Sequence, residues 1–321
     1  MKPAVMLEKC KREQWKLTDL DWNAKPREMS REDEVAIVQY FVDMASIERL
    51  AGALFREQEQ KVDDPILAQI FRSFVADEMR HAAVAERLAE FYDVRHLKKY
   101  ETNPHLAAFY PCFIETVRRM PPDIANIYIT AGELILDVAL LRSINDYVHD
   151  EMSQRAMDLV NRDESRHIAV DYHMLEYYSS EEYDRALSQR PKPSLRERVA
   201  GQWAFANMLW HASPFIRAVF FEPMAVVDPS GKRMKEAFRR MQILGAKPNV
   251  KRRPFVRVMM ALQELYRRPW ASATIGPLLE RATGVPGSVL VRLIDEEDER
   301  RAARLSFDEL AEEALSAKLR D

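Results

Sequence analysis

DEMRHAAVAERL at residues 77–88 and DESRHIAVDYHM at residues 163–174 begin alike, and their shared opening, Asp-Glu-x-Arg-His, decides how the chain is read. Glu78 and His81 stand three residues apart, as do Glu164 and His167. On an α-helix that spacing covers most of one turn, so carboxylate and imidazole point to the same side and can bind one ion. Apolar residues recur around each copy at three- and four-residue steps, with Ile66, Ile70, Phe74, Val75, Ala82 and Ala85 about the first and Ala156, Val160 and Ile168 about the second. That is the period of one buried helix face, and it carries each Glu and His inward.

Working outward, Ser30 followed by Arg31, Glu32 and Asp33 is a loose capping box, which predicts a helix from about 31 to 60. Its stripe of Val38, Phe41, Val42, Ala45, Ala51 and Phe55 includes Glu48. A second helix is predicted from Pro65, a good first-turn residue after Asp64, to about Tyr92. Asn103-Pro104, Pro111 and Pro121-Pro122 then break the pattern, so residues 93–122 read as a crossover containing a short helix. A third helix should run from Pro122 or Asp123 to about Tyr147, with Ile127, Thr130, Glu133, Leu136 and Leu140 on one side, and a fourth from about 150 to 178, capped by Asp150. Glu48 precedes Glu133 by 85 residues and Glu78 precedes Glu164 by 86, an internal repeat of two helix pairs.

The expected fold is therefore all-α: a ferritin-like four-helix bundle over residues 31–180, preceded by a lead-in over 1–30 with Trp15, Trp22 and Pro26, and followed by a helical extension over 181–321 packed on the bundle. Within the extension, helices are expected near 195–221, 231–243, 253–267, 272–282 and 306–319, with Pro223, Pro229, Pro248, Pro254 and Pro286 as breaks.

Composition agrees with helices and narrows the function. Charged residues are 31% of the 321, hydrophobic ones 47%, and glycines only eight. A net charge of −3 argues against nucleic acid or anionic membrane as a global partner. Cys10 and Cys112 lie far apart and outside any C-x-x-C pattern, which fits a reducing cytoplasm and no thiolate metal site. No signal-peptide run opens the chain, and no later segment reads as apolar over the roughly 18 residues a membrane span needs.

Four buried glutamates near one another would repel, and each would cost several kcal/mol unless protonated or neutralised by cations. Two divalent ions cancel four carboxylate charges. Oxygen donors with two imidazoles suit iron or manganese over thiolate-seeking metals. The candidate metal ligands are Glu48, Glu78, His81, Glu133, Glu164 and His167. Ligating imidazoles usually donate their second N–H to a carboxylate, so Asp77 and Asp163 are expected each to serve the opposite His, with Arg80 and Arg166 balancing their charge.

This pattern resembles the ferritin-like di-iron carboxylate family, whose bundles take a Glu from each of two helices and a Glu-x-x-His from each of the other two. The doubled Asp-Glu-x-Arg-His is similar to the oxygen-activating branch, which includes multicomponent monooxygenases, acyl-carrier desaturases, aldehyde-deformylating oxygenases and arylamine N-oxygenases. The resemblance covers about residues 31–178. It implies two iron ions at the six ligands, with manganese fitting the same donors, and reaction of dioxygen there to give an oxidant that attacks a small organic or carrier-bound substrate. Arylamine N-oxygenases carry an extra His one turn before the last Glu-x-x-His; that place is Val160 here. His173, nine residues after Glu164, is not counted as a ligand.

Thr130 and Asp137, one turn either side of Glu133, are candidates to relay protons or hold water. Gly52, Ala45 and Ala82 read either as close helix packing or as room beside the metals. The basic stretch Arg239, Arg240, Lys247, Lys251, Arg252, Arg253, Arg257, Arg267 and Arg268 reads either as a docking face for a carrier or electron donor or as a solvated surface. No flavin or nicotinamide fingerprint is present, so a separate reductase is expected. A homodimer is expected too, because a bundle with an apolar outer face commonly pairs. The alternative function is a ferroxidase or iron-binding protein with no organic substrate.

Overall fold

A computed structural model of the chain describes residues 1–317, and every regular element among them is helical, with no strand. The chain divides into two compact units, Met1–Ile114 with Ile144–Arg166, and Glu115–Ser143 with His167–Asp321. In chain order the helices are α1 (Pro3–Arg12), α2 (Arg31–Glu59), α3 (Pro65–Tyr92), α4 (Pro104–Arg119), α5 (Pro122–Leu134), a π-helical turn (Ile135–Leu140), α6 (Leu141–Val148) and α7 (Glu151–Tyr178). There follow α8 (Glu181–Gln189), α9 (Leu195–Phe215), a second π-helical turn (Ile216–Phe221), α10 (Glu222–Val227), α11 (Lys232–Gly245) and α12 (Pro248–Lys251). The last are α13 (Pro254–Tyr266), α14 (Pro269–Thr274), α15 (Gly276–Thr283), α16 (Gly287–Leu290), α17 (Glu296–Arg304) and α18 (Phe307–Ala317).

In the first unit, local chemistry sets the helix starts. Ser30 Oγ accepts from Asp33 N at 3.0 Å, and Asp64 accepts from Ile66 N and Leu67 N ahead of Pro65. Aromatic contacts then fix the pairing of α2 with α3. Phe41 stacks on Tyr92 with ring centroids 5.7 Å apart, and Phe55 meets Phe74 at 5.3 Å. The two helices are therefore antiparallel, and Glu48, midway between Phe41 and Phe55, falls opposite the stretch of α3 carrying Glu78 and His81. Burial of these rings stabilises the pair by roughly 1.5–3 kcal/mol each. Gly52 permits the close approach: an added Cβ would lie 3.1 Å from Glu78 Cβ and 3.0 Å from Met79 Cε. Of the two readings of Gly52, close packing is the one observed. α1, within the segment read as a lead-in, packs on α3 and buries Cys10 completely.

In the second unit, α11 packs along α5 and the first π turn. Several sequence expectations are corrected here. Pro223 does not break a helix, since α10 follows directly on the second π turn and runs to Val227. A proline clashes with the carbonyl four residues back, and a backbone ladder already widened by a π turn relieves that clash. The helix expected over 272–282 is two, α14 and α15, divided at Ile275 before Gly276-Pro277. Of the helix expected over 306–319, residues 318 and 319 lie outside the described residues.

The basic stretch is largely engaged in ion pairs within its own unit. Arg239 pairs with Asp298 at 2.6 Å, Arg240 with Glu236 at 2.7 Å, Lys251 with Glu299 at 3.3 Å, and Arg252 and Arg253 with Asp184. Lys247 is buried, donating to the Ala302 carbonyl at 3.2 Å with its ammonium 4.7 Å from the Phe307 ring centroid.

Among the described residues, one helix does reach the length and apolarity of a membrane span, contrary to the sequence expectation. It is Pro122–Val148, 27 residues with a hydropathy of 1.7 over its most apolar window. Protein covers 67% of that window, as in a core helix.

Candidate metal centre

Within the first unit, α2, α3 and the N-terminal part of α7 bring four candidate ligands together. Glu48 of α2, Glu78 and His81 of α3, and Glu164 of α7 each offer one donor atom, and these atoms lie within 4.8 Å of one another. All four residues are buried. His81 Nδ1 stands 3.1 Å from Glu164 Oε1, 3.6 Å from Glu78 Oε2 and 3.8 Å from Glu48 Oε2. Donors about 2.1 Å from a shared ion stand roughly 3–4 Å apart, so the cluster suits one cation with small side-chain adjustments. This buried Glu/His cluster can hold a metal ion.

The electrostatics give the reason a cation fits. Burial, and then the Glu78 charge, push the Glu48 carboxyl well above its ordinary range. Burial opposes a charged His81, yet hydrogen bonds with Asp163, Glu164, Glu48 and Glu78 outweigh it and raise the imidazole well above its usual value. The buried carboxylates therefore favour positive charge placed among them. A divalent ion there would supply that charge, and its binding would release protons.

A second layer orients the imidazole. His81 Nε2 lies 3.2 Å from Asp163 Oδ2, which leaves Nδ1 facing the glutamates. The same Asp163 oxygen accepts from Trp15 Nε1 at 2.7 Å and Arg80 Nη2 at 2.9 Å, and Oδ1 accepts from Arg166 Nη2 at 2.7 Å. Burial works against the Asp163 charge, but His81, Arg166 and Arg80 hold its carboxyl well below the usual range. Arg166, fully buried, also donates to Asp77 Oδ2 at 3.0 Å and to Glu13 Oε2 at 3.3 Å. Asp77 further accepts from Arg80 and, at 3.3 Å, from Gln14 Nε2.

Residues 13–15 belong to this layer, and sequence reasoning missed them. The Trp15 ring stacks on His81, with centroids 6.4 Å apart and planes inclined by 18°, and the Arg80 guanidinium lies over the Trp15 ring, 5.0 Å from its centroid. Trp15 falls in an aperiodic stretch, so nothing but its residue type marked it. Tyr40 was missed as well. Its hydroxyl is buried with no hydrogen-bond partner, and burial together with the Glu48 charge holds it protonated far above the ordinary tyrosine value.

The remaining predicted residues lie in the second unit. Glu133, in the last turn of α5, and His167, on α7, are buried. Thr130 Oγ1 donates to the Asn126 carbonyl at 2.8 Å, so its proton is engaged locally. Asn126 Nδ2 in turn donates to the Asp171 carbonyl at 3.2 Å. Asp137 is buried inside the first π turn, so an ordinary one-turn spacing from Glu133 does not apply to it.

Comparison with protein-family models, curated proteins and solved structures finds no match to this chain.

Proposed function

We propose that the chain is an O2-dependent non-haem di-iron oxidase or oxygenase acting on a small organic substrate by hydroxylation, N-oxygenation or desaturation. The observation that carries this reading is the convergence of Glu48, Glu78, His81 and Glu164 about one buried point, with Asp163 behind the imidazole. On the doubled Glu-x-x-His motif, Glu133 and His167 complete the ligand set of a ferritin-like four-helix bundle. Two ferrous ions so held would supply the electrons and the binding place that dioxygen reduction needs.

The chain's own residues do the rest. Glu48, Glu78 and Glu164 offset the metal charge in a site that excludes water. Asp163 fixes the His81 tautomer so that Nδ1 is the donor atom. Trp15 stacks on that imidazole. Electrons for repeated turnover come from a separate reductase.

Mixing the protein, loaded anaerobically with two equivalents of ferrous iron, with oxygenated buffer tests the reading. A transient visible absorbance that disappears in Glu164→Ala and His81→Ala supports it. Iron that binds equally well to both variants contradicts it.

A further inference from the structure

The second unit holds a cavity of about 340 Å³ whose walls include none of the candidate metal ligands. Its walls come from α5 (Ile127, Ala131, Leu134), from α11 and α13, and from the segment around α15 and α16. The lining is almost wholly apolar. Several of its polar groups are turned to other tasks: the Gln242 amide holds the backbone at Val291 and Leu293, Thr283 donates to the Leu279 carbonyl, and the Tyr266 hydroxyl donates to Glu280. Arg292, the one charged residue of the wall, pairs with Glu299 and donates to the Ile294 carbonyl.

Three observations together indicate an occupant. First, a void lowers stability in proportion to its volume, so an open space this large is a cost that a ligand removes. Second, an apolar cavity of about 150 Å³ takes a benzene-sized guest and stays dry otherwise, and this one is more than twice that volume. Third, Met259 and Leu262 line the cavity and are themselves 38% and 37% exposed, which places its mouth at solvent. Met241, Met259 and Met260 give the walls flexible, polarizable side chains that adapt to a guest.

We propose that this cavity is a binding site for an uncharged, hydrocarbon-rich organic molecule larger than a single ring. A charged head group is disfavoured inside, because Arg292, the one charged wall residue, is already paired. The site does not depend on the di-iron reading, since every residue of it lies in the second unit and none is a metal ligand. The competing place for an apolar molecule is α9, where Trp203 and Trp210 are 76% and 79% exposed.

The test uses the full chain without metal and the neutral fluorophore N-phenyl-1-naphthylamine. Two variants fill the cavity: Ala131→Trp, and Gly245→Leu, where an added Cβ meets only Val256 Cγ1 at 3.5 Å. Saturable binding of one probe per chain is expected, weakened at least ten-fold in both variants, kept in Trp203→Ser/Trp210→Ser, and displaced by 1-decanol but not by decanoate. In parallel, 1-decanol should raise the melting temperature of the wild type, a readout that needs neither filled variant to fold. Displacement by 1-naphthol in place of 1-decanol would assign a ring-shaped guest within the same class. Probe binding that survives in both folded filled variants, or that is lost with Trp203 and Trp210, overturns the proposal, as does a melting temperature unmoved by both alcohols.

Discussion

Asp163 immediately precedes the candidate ligand Glu164 on α7 and approaches the candidate ligand His81 on α3, its Oδ2 lying 3.2 Å from Nε2. One short stretch of α7 thus contributes a donor to the cluster and the support for a donor on another helix. Asp163→Asn keeps the shape and removes the charge. With Arg166 and Arg80 left beside a neutral amide, stability should fall by about 3–5 kcal/mol, as when one partner of a buried ion pair is removed, and iron affinity should fall roughly 10–100-fold. Urea denaturation of the metal-free protein and an anaerobic ferrous titration read the two effects separately; a variant that matches the wild type in both denies the support role.

Trp15→Phe should retain ring packing on His81 while losing the indole N–H that Asp163 accepts at 2.7 Å. A loss of about 1–3 kcal/mol is expected for an acceptor deprived of a buried donor. Trp15→Leu, which also removes the stacking, should cost more. Equal stability of both variants and the wild type in urea would show that residues 13–15 are a loose cover.

The reach of the sequence differs sharply between these residues. Ser30, Asp64 and Pro65 mark the starts of α2 and α3 because capping is settled within three residues of chain, and the Glu78/His81 spacing is equally local. Trp15 meets Asp163 across 148 residues from an aperiodic segment, so no pattern could announce the contact. The π turns at 135–140 and 216–221 carry ordinary apolar residues and left no mark either; they displace Asp137 from its expected register and let α10 run through Pro223. The ion pairing of the basic stretch was not legible, because its partners Asp184, Asp298 and Glu299 lie about 50–70 residues away in sequence.

Gly52→Val places branched carbon where a Cβ alone would meet Glu78 Cβ at 3.1 Å. Overpacking of this kind costs about 1–3 kcal/mol, and it should push Glu78 out of line and weaken iron binding in the same variant. Thermal melting and ferrous titration check this. A variant that loses stability yet binds iron normally would separate the packing of α2 on α3 from the geometry of the cluster.

Asp33 at the start of α2 is held below its ordinary carboxyl range by the Tyr147 hydroxyl and then by Ser30. A depressed folded pKa adds stability above the unfolded value of about 3.9 and loses it as pH falls through the folded value. The melting temperature of the wild type should therefore fall more steeply than that of Asp33→Asn between about pH 5 and pH 2. Parallel melting curves across that range would contradict the assignment.

Crystals soaked anaerobically in ferrous iron and measured on both sides of the iron absorption edge test the central claim most directly. The account predicts an anomalous peak enclosed by Glu48, Glu78, His81 and Glu164, and a second peak bound by Glu133 and His167. A first peak alone would keep the metal site and remove the di-iron reading. Iron found only at the protein surface, with the four buried side chains unmoved, would contradict the account.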